Sequence, residues 1–441
     1  MSDSGDTTAQ QRVLPVPAMG LVVLVGVSGS GKSTFAARHF LPTQVVSSDA
    51  YRGVVSDDEN DQSATGDAFD LVHRIVGKRL RRGLLTVVDA TNVQREDRGQ
   101  LVRLAKEHDV PASAIVLDAS DGLVRERTRL RTDRDIEPDA LARQQHDLSR
   151  GRAQLDKEGF RRVHVLDADE AGTAVVELEP SPHDRRELSG PFDIIGDVHG
   201  CRAELEDLLT DLGYRIERDD AGEPTGARHP DGRTALFVGD VVDRGPDSPG
   251  AARLVMNMVD SGDAMCVLGN HEHKLLRALN GRNVRLQRGV EQTLQQLESR
   301  TAEFRERLRE FCDGLVDHYV LDGGDLVVAH AGLKEAYHGR SSGRVRSFAL
   351  FGDTTGETDE QGLPVRLPWA REYQGKAMVV YGHVPTPRPE WVNNTICLDT
   401  GCVFGGELTA LRYPERELRR VPAHRTWYEP TRPLHEESTG T

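Results

Sequence analysis

Short apolar runs alternate with longer amphipathic stretches from residue 20 to about 168. The runs are LVVLV (21–25), QVV (44–46), LLTVV (84–88), SAIVLD (113–118) and RVHVLD (162–167). Continuous rather than alternating hydrophobicity suits strands buried on both faces, so this region predicts an α/β domain with a mainly parallel sheet. A second strand-rich region follows, with FDII (192–195), TALFV (234–238), MCVL (265–268), DLVVA (325–329), AMVVY (377–381), TICLD (395–399) and LTALRY (408–413). It predicts a second α/β domain over 191–423, with a charged, helix-like insert at 290–313. Residues 1–19, with Pro15 and Pro17 before the first run, read as a flexible tail. The stretch 169–190 reads as a linker, and 424–441 as a second tail whose Trp427 and Tyr428 pack back on the domain. No internal repeat is evident.

Composition narrows the class. With 441 residues, 37% hydrophobic and 29% charged, the chain can bury two domain cores. The longest apolar run, LVVLVGV (21–27), is too short to span a bilayer, and the acidic start MSDSGDTTAQ lacks the features of a secretory signal. Five cysteines without a CxxC pair argue against a disulfide framework and for the cytoplasm. Cys397 and Cys402 are a zinc half-site or, more plainly, buried thiols. A net charge of −15 excludes a protein that coats nucleic acid by neutralising phosphates. It does not exclude one that holds a nucleic-acid end through local arginines, as in KRLRRG (78–83) or RERTRLRTDR (125–134); the plainer reading of both is a solvated helix face.

The segment GVSGSGKS (26–33) fits the phosphate-binding pattern GxxxxGK[ST], and it stands between a strand and a helical run. Gly26, Gly29 and Gly31 would let the backbone wrap phosphates at a helix N-terminus, with Thr34 just inside. Lys32 would reach the β- and γ-phosphates of ATP and Ser33 would ligate Mg²⁺. In SSDAYR (47–52), Asp49 is either the base that orients an acceptor hydroxyl or a helix cap, and Arg52 could hold the acceptor's phosphate. Asp89, ending LLTVVD, acts on magnesium waters or is again a cap. Arg127 and Arg131, four apart, suit one face of a lid that clamps the transferring group.

Five further motifs each follow an apolar run: GDVHG (196–200), GDVVDRG (239–245), GNHE (269–272), VVAHAG (327–332) and VVYGHVP (379–385). In series they would converge on one sheet edge. Their Asp, His and Asn donors, without thiolate, suit Mn²⁺, Fe²⁺ or higher-coordinate Zn²⁺. One carboxylate shared by two ions about 3.5–4 Å apart would support attack by an activated water on phosphorus. Arg244 and His271 are placed to hold phosphate oxygens and to protonate a leaving group.

The order GDVHG, GDVVDRG, GNHE, AHAG, GHVP resembles the calcineurin-like metallophosphoesterases over about 191–423. That resemblance implies a two-sheet sandwich with two divalent metals, Mn²⁺ foremost. Asp197, His199 and Asp240 would hold one; Asp240, Asn270, His330 and His383 the other. His271 would be the acid, oriented by Asp243, with Arg244 on the phosphate. The last motif, GHVP rather than GHxH, resembles the phosphoprotein-phosphatase and dinucleoside-tetraphosphatase branch. The N-terminal region resembles P-loop polynucleotide kinases. The whole order, with DDENDQSAT (57–65), DATNV (89–93), RTDR (131–134) and LDTGCVFGGELTALRYP (398–414), resembles the bacterial polynucleotide kinase-phosphatases. By that likeness Asp49 is the acceptor base, Arg52 and Gln62 contact acceptor or phosphates, Arg127 and Arg131 belong to the lid, and Asp399 joins the phosphatase site.

The implied function is healing of RNA or other polynucleotide ends. One site would phosphorylate 5′-OH ends with ATP and Mg²⁺, and the other would remove 2′,3′-cyclic, 2′- or 3′-phosphates. Opposite chemistries belong in one chain when both ends come from one break. No lysine shows the KxDG pattern of the ligase-like domain that usually follows in the family. The resemblance therefore implies a separate ligase and a 3′-terminal RNA 2′-O-methyltransferase as partners; it is compatible with a homodimer and involves no membrane. The competing reading is a dinucleoside polyphosphate or phosphoprotein phosphatase with an ATP-binding regulatory domain. A non-catalytic scaffold for RNA ends is a third, disfavoured by the intact Lys32, Ser33 and metal ligands.

Overall fold

A computed structural model describes residues 11–130, 138–284, 289–360 and 363–430. The chain divides into two compact units, Met1–Ser181 with Arg340–Ser342, and Pro182–Gly339 with Gly343–Thr441.

In the first unit five parallel strands lie in the order Val45–Ser47, Thr86–Asp89, Leu21–Val25, Ala112–Leu117, Arg162–Leu166. The central strand is buried at every position, which explains its unbroken apolar run. Leu21, Val23 and Val25 face a core shared with Val72, Val76 and Leu80 of the helix Thr65–Arg81. Val22 and Leu24 face the other side, with Phe35 and Ala36 of the helix Lys32–His39. Helices thus cover both faces, and the strands' carboxyl ends open toward one edge, where ligands bind in such sheets.

Two segments differ from the sequence reading. Val13–Pro17, placed in the flexible tail, is a strand paired in parallel with Val175–Glu179, which lies in the stretch read as linker. The alternation is decisive: Leu14 and Val16 are fully buried in the core with Val22 and Leu24. Pro15 and Pro17 are tolerated because the strand pairs on one side only. The same linker stretch also contains the short helix Ala168–Thr173, capped by Asp167, whose carboxylate accepts the N–H groups of Asp169 and Glu170.

The second unit is a two-sheet sandwich. One sheet runs Ala264–Cys266, Thr234–Phe237, Phe192–Ile195, Glu407–Tyr413, Glu417–Pro422. The other runs Trp391–Val392, Thr395–Cys397, Met378–Tyr381, Leu326–Ala329, His318–Leu321, Asp184–Arg185. Period-two alternation divides each strand: Ile194, Leu236 and Leu411 meet Leu326, Val328 and Val380 between the sheets, whereas Ile195, Phe237 and Ala410 meet the helices Arg202–Leu212 and Ser248–Asp260. The charged insert forms two helices, Val290–Glu298 and Ala302–Gly314, the second capped by Thr301. Trp427 and Tyr428 pack against the helix-facing core. Among the described residues no helix is long and apolar enough to cross a membrane.

Because Leu14 is fully buried, Leu14→Ala should destabilise the first unit by about 2–5 kcal/mol. The check is denaturant unfolding. A loss below about 0.5 kcal/mol, the range of surface substitutions, would mean that the N-terminal strand is not part of the core.

Candidate functional site

The first candidate site lies at the strand ends of the parallel sheet, in a cavity of about 640 Å³. Gly29 (φ 81°) and Gly31 (φ 101°) hold the loop in left-handed conformations, and Gly31 caps the helix Lys32–His39. Lys32 Nζ donates to the carbonyls of Gly26 and Val27 at 2.9 Å each, which keeps the ammonium over the loop. Ser33, Thr34, Asp49, Arg52, Gln62, Asp89 and Arg127 line the same cavity. Arg127 also donates to Ser30 O at 3.3 Å. Arg131 lies outside the described residues.

The two carboxylates left open between function and capping are not helix caps. Ser47 caps the helix Ser48–Ser56 with its hydroxyl on the N–H of Ala50, and Asp49 sits inside the first turn. Buried Arg52 pairs with Asp49 and donates to Glu59 O at 2.9 Å, so it fixes Asp49 more than it reaches for a ligand. The helix after Asp89 begins at Arg95 with Gln94 at its cap position. Burial raises the Asp89 pKa, opposed by the Ser33 hydroxyl and by Lys32, as suits an oxygen waiting for a cation. Gln144, unremarked in the sequence, accepts the N–H of Ser28 at 2.8 Å and tethers the loop. Its only signal was a place on an amphipathic helix.

The second candidate site draws on both sheets of the sandwich, not on one sheet edge. Strands Phe192–Ile195, Thr234–Phe237 and Ala264–Cys266 lead into Asp197 and His199, Asp240 to Arg244, and Asn270 and His271. Strands Leu326–Ala329, Met378–Tyr381 and Thr395–Cys397 of the other sheet lead into His330, His383 and Asp399. The turns after them are tight. His199, Asp240, Asp243, Arg244 and His383 all have φ between 47° and 76°, an unfavourable region for residues with side chains. Gly382 and Gly269 must be glycines, since a Cβ would overlap Asp197 Oδ1 and Asp240 Oδ1 respectively.

Asp240 Oδ2 lies 3.6 Å from His199 Nε2 and 3.3 Å from His330 Nε2. His330 Nε2 is also 2.9 Å from Asn270 Oδ1 and 3.0 Å from His383 Nδ1. The Nδ1 atoms of His199 and His330 face the carbonyls of Val242 and Val238 at 3.0 Å, so these neutral rings carry their protons there. The Nε2 atom of His330 then stands with Asp240 Oδ2, Asn270 Oδ1 and His383 Nδ1 in one buried group, a set of donor atoms that suits cations. Burial and the carboxylates of Asp399 and Asp240 push Asp197 well above its usual range. Burial and Arg244 push His199 well below its own, and burial and His330 do the same to His383, leaving both rings as ready ligands. Burial also pushes Asp399 up to about 6. Although burial opposes it, the neighbouring Asp240 carboxylate pushes His330 up. The donor set fits two divalent ions sharing Asp240.

Around that cluster, His271 Nδ1 lies 2.6 Å from Asp243 Oδ2, whose other oxygen accepts the Thr293 hydroxyl at 2.6 Å. His271 Nε2 is left facing the site, 3.9 Å from Asp240 Oδ2. Arg244 Nη1 is 2.6 Å from His199 Nε2. Arg366 mirrors it at the other side, 2.7 Å from His383 Nε2; no motif marked it, because it comes from the strand Pro364–Arg366 between two motif-bearing strands. Glu272 was quoted within GNHE but given no role. Its buried carboxylate accepts the N–H groups of Asp240 (2.8 Å), Val241 (2.8 Å), Val242 (3.1 Å) and Gly269 (3.1 Å), which locks the shared ligand's turn.

Comparison with known families matches residues 190–418, more than half of the chain, to the calcineurin-like phosphoesterases. The chain belongs to that family. Residues 21–155 match an AAA domain. Among curated proteins, bis(5′-nucleosyl)-tetraphosphatase PrpE of Anoxybacillus flavithermus is 46% identical over 236 residues, 53% of this chain and 94% of the relative. The protein of the same name from Halalkalibacterium halodurans is 44% identical, with the same coverage. A solved putative diadenosine tetraphosphatase is 28% identical and covers 54% of this chain and 96% of its own, with a TM-score of 0.39. The calcineurin-like unit is thus a metal-dependent phosphatase in class, and the Asp, His and Asn donors of the cluster fit divalent metals.

Two outcomes follow for this calcineurin-like site. Asp240→Asn should lower hydrolysis of p-nitrophenyl phosphate on the order of 10³-fold and reduce bound Mn²⁺ by elemental analysis, since both ions share that residue. Unchanged metal content would contradict the sharing. Glu272→Gln, which reaches the ligand Asp240 only through its backbone N–H, should weaken Mn²⁺ affinity about 10–100-fold by releasing the turn. Wild-type affinity in a Mn²⁺ titration would show that the turn holds itself.

Proposed function

We propose that the chain is a bifunctional polynucleotide end-healing enzyme. Its first unit would transfer the γ-phosphoryl group of ATP to 5′-hydroxyl ends, and its second would remove 2′,3′-cyclic, 2′- or 3′-phosphates. The observation that carries this reading is that two carboxylates, Asp49 and Asp89, share one cavity with Lys32 and Ser33. An ATP sensor needs one carboxylate near its magnesium. A second, free of capping duty and held by a buried arginine, is what transfer to a hydroxyl requires. Asp49 takes the acceptor's proton as its oxygen attacks the γ-phosphorus, and the bond to the β-phosphate oxygen breaks toward ADP. Lys32 and Arg127 stabilise the charge on the phosphates, and Ser33 with Asp89 would hold the magnesium ion.

In the second unit, Asp197, His199, Asp240, Asn270, His330 and His383 would hold two divalent cations, which supply Lewis-acid polarisation of the phosphoryl group and of the attacking water. Arg244 and Arg366 orient the phosphoryl oxygens. His271 delivers its Nε2 proton to the departing alkoxide, while Asp243 retains the Nδ1 hydrogen bond that keeps the ring in place. A second reading has its own support. The 46% identity to a bis(5′-nucleosyl)-tetraphosphatase favours cleavage between phosphates, with the P-loop unit as a regulator.

Incubation with γ-labelled ATP, Mg²⁺ and a 5′-OH RNA oligonucleotide separates the two. End-healing predicts label on the 5′ end, with transfer reduced at least about 100-fold by Asp49→Ala. No transfer, together with Mn²⁺-dependent hydrolysis of diadenosine tetraphosphate that ATP modulates, would replace it with the second reading.

A further inference from the structure

The sequence offered Cys397 and Cys402 as a zinc half-site, and the structure pairs them differently. Cys397 is isolated, its thiol turned to the carbonyls of Gly382 (3.5 Å) and Val384 (3.4 Å). Cys402 instead lies with Cys201 and Glu204, one ligand atom of each falling within 4.8 Å of the others. All three residues are buried, none more than 1% exposed. Glu204 Oε1 accepts the indole N–H of Trp427 at 2.6 Å and the backbone N–H of His424 at 3.0 Å. Oε2 is buried and has no hydrogen-bond partner among the described residues.

We propose that Cys201, Glu204 and Cys402 form a third cation site, of the structural Zn²⁺ class, separate from the phosphatase centre. With both N–H donors on Oε1, Oε2 of Glu204 is left bare and buried beside two thiols, and a buried polar atom of that kind is costly unless something satisfies it. Two thiols beside it complete a sulfur and oxygen donor set that suits zinc. Binding exchanges one Zn²⁺ for the two thiol protons, which leave to solvent, so the ion and its two thiolates together carry no more net charge than the two thiols they replace. The cluster of His183, Asp317 and His318 is a useful contrast. There Asp317 Oδ1 lies 3.1 Å from His183 Nε2 and 2.6 Å from His318 Nδ1, and His318 Nε2 accepts the N–H of Gly339 at 3.0 Å. That network is closed by hydrogen bonds and calls for no ion.

The position gives the site a purpose. Cys201 stands two residues after His199, Cys402 three after Asp399, and Glu204 anchors the segment holding His424 and Trp427. One ion would brace two loops of the phosphatase site against the C-terminal segment.

Co²⁺ titration of the full reduced chain tests this, because thiolate-to-cobalt charge transfer absorbs in the near ultraviolet and the Asp, His and Asn centre contains no sulfur. The expected result is a charge-transfer band whose final amplitude corresponds to one sulfur-bound Co²⁺ per chain and which excess Zn²⁺ bleaches. It should be lost in Cys402→Ser and kept in Cys312→Ser. Glu204→Gln should weaken the titration at least tenfold and keeps the test open if Cys402→Ser fails to fold. Cobalt uptake by the unaltered chain without that band, or a band undiminished in folded Cys402→Ser, would overturn the site.

Discussion

The carboxylate of Asp240 stands where the two sheets of the C-terminal unit bring their strand ends together. Its Oδ2 faces His199 on one side and His330 on the other, within 3.6 Å of both. Its Oδ1 accepts the N–H of His271, and its own N–H is held by Glu272. Five site residues occupy left-handed backbone, each costing about 1–3 kcal/mol, so together they approach the whole stability of an ordinary domain. Such turns persist only if the surroundings over-determine them. The fully buried strands supply most of that support. Glu272 supplies the local part through four accepted hydrogen bonds, each worth about 0.5–1.5 kcal/mol before non-additivity, with burial and Asp240 pushing its carboxyl up to about 7.

The N-terminal unit solves a related problem with less strain. The phosphates of the proposed nucleotide are groups that backbone N–H groups at a helix end can hold without a cluster of side chains. Two glycines adopt the left-handed conformations, so the loop costs little. In the proposed reaction the chemistry would fall to side chains from neighbouring strand ends, Asp49 and Asp89 among them, which line the same cavity. In both units most candidate residues follow buried strands, although Val45–Ser47, which leads into Asp49, is a partly buried edge strand. A strand locked in this way fixes the first residue beyond it to within a fraction of an ångström, and a site requires that accuracy.

The architecture was legible because continuous apolar runs mark doubly covered strands, and the motif residues follow those runs directly. The sandwich with its five motifs could be read position by position for the same reason. What escaped was whatever sequence neighbours do not reveal. Val13–Pro17 was hidden by its two prolines, which an edge strand tolerates and a central one does not. Glu272 sat inside a quoted motif, but its partners are backbone N–H groups some thirty residues earlier, and no pattern records them. Arg366 and Gln144 reach their sites from elements with no motif of their own. Cys397 and Cys402 are buried thiols, the plainer of the two readings, and they face different surroundings although five residues apart; that Cys201 reaches Cys402 across the fold no spacing records.

Softness of the donor atoms explains how one chain can address different cations without confusing them. The phosphate loop offers oxygen alone, from Ser33 and Asp89, beside the phosphates of its ligand, and such a set suits Mg²⁺. The calcineurin-like centre mixes carboxylate, amide oxygen and imidazole, which favours Mn²⁺, Fe²⁺ or Zn²⁺ over Mg²⁺. The proposed third cluster adds sulfur and would take zinc in preference to either. Availability then acts with affinity: an abundant hard ion fills the weak oxygen site, while a scarcer borderline ion is drawn to the nitrogen-bearing one. Selectivity of that kind needs no gate or lid. It follows from which atoms the strand ends present.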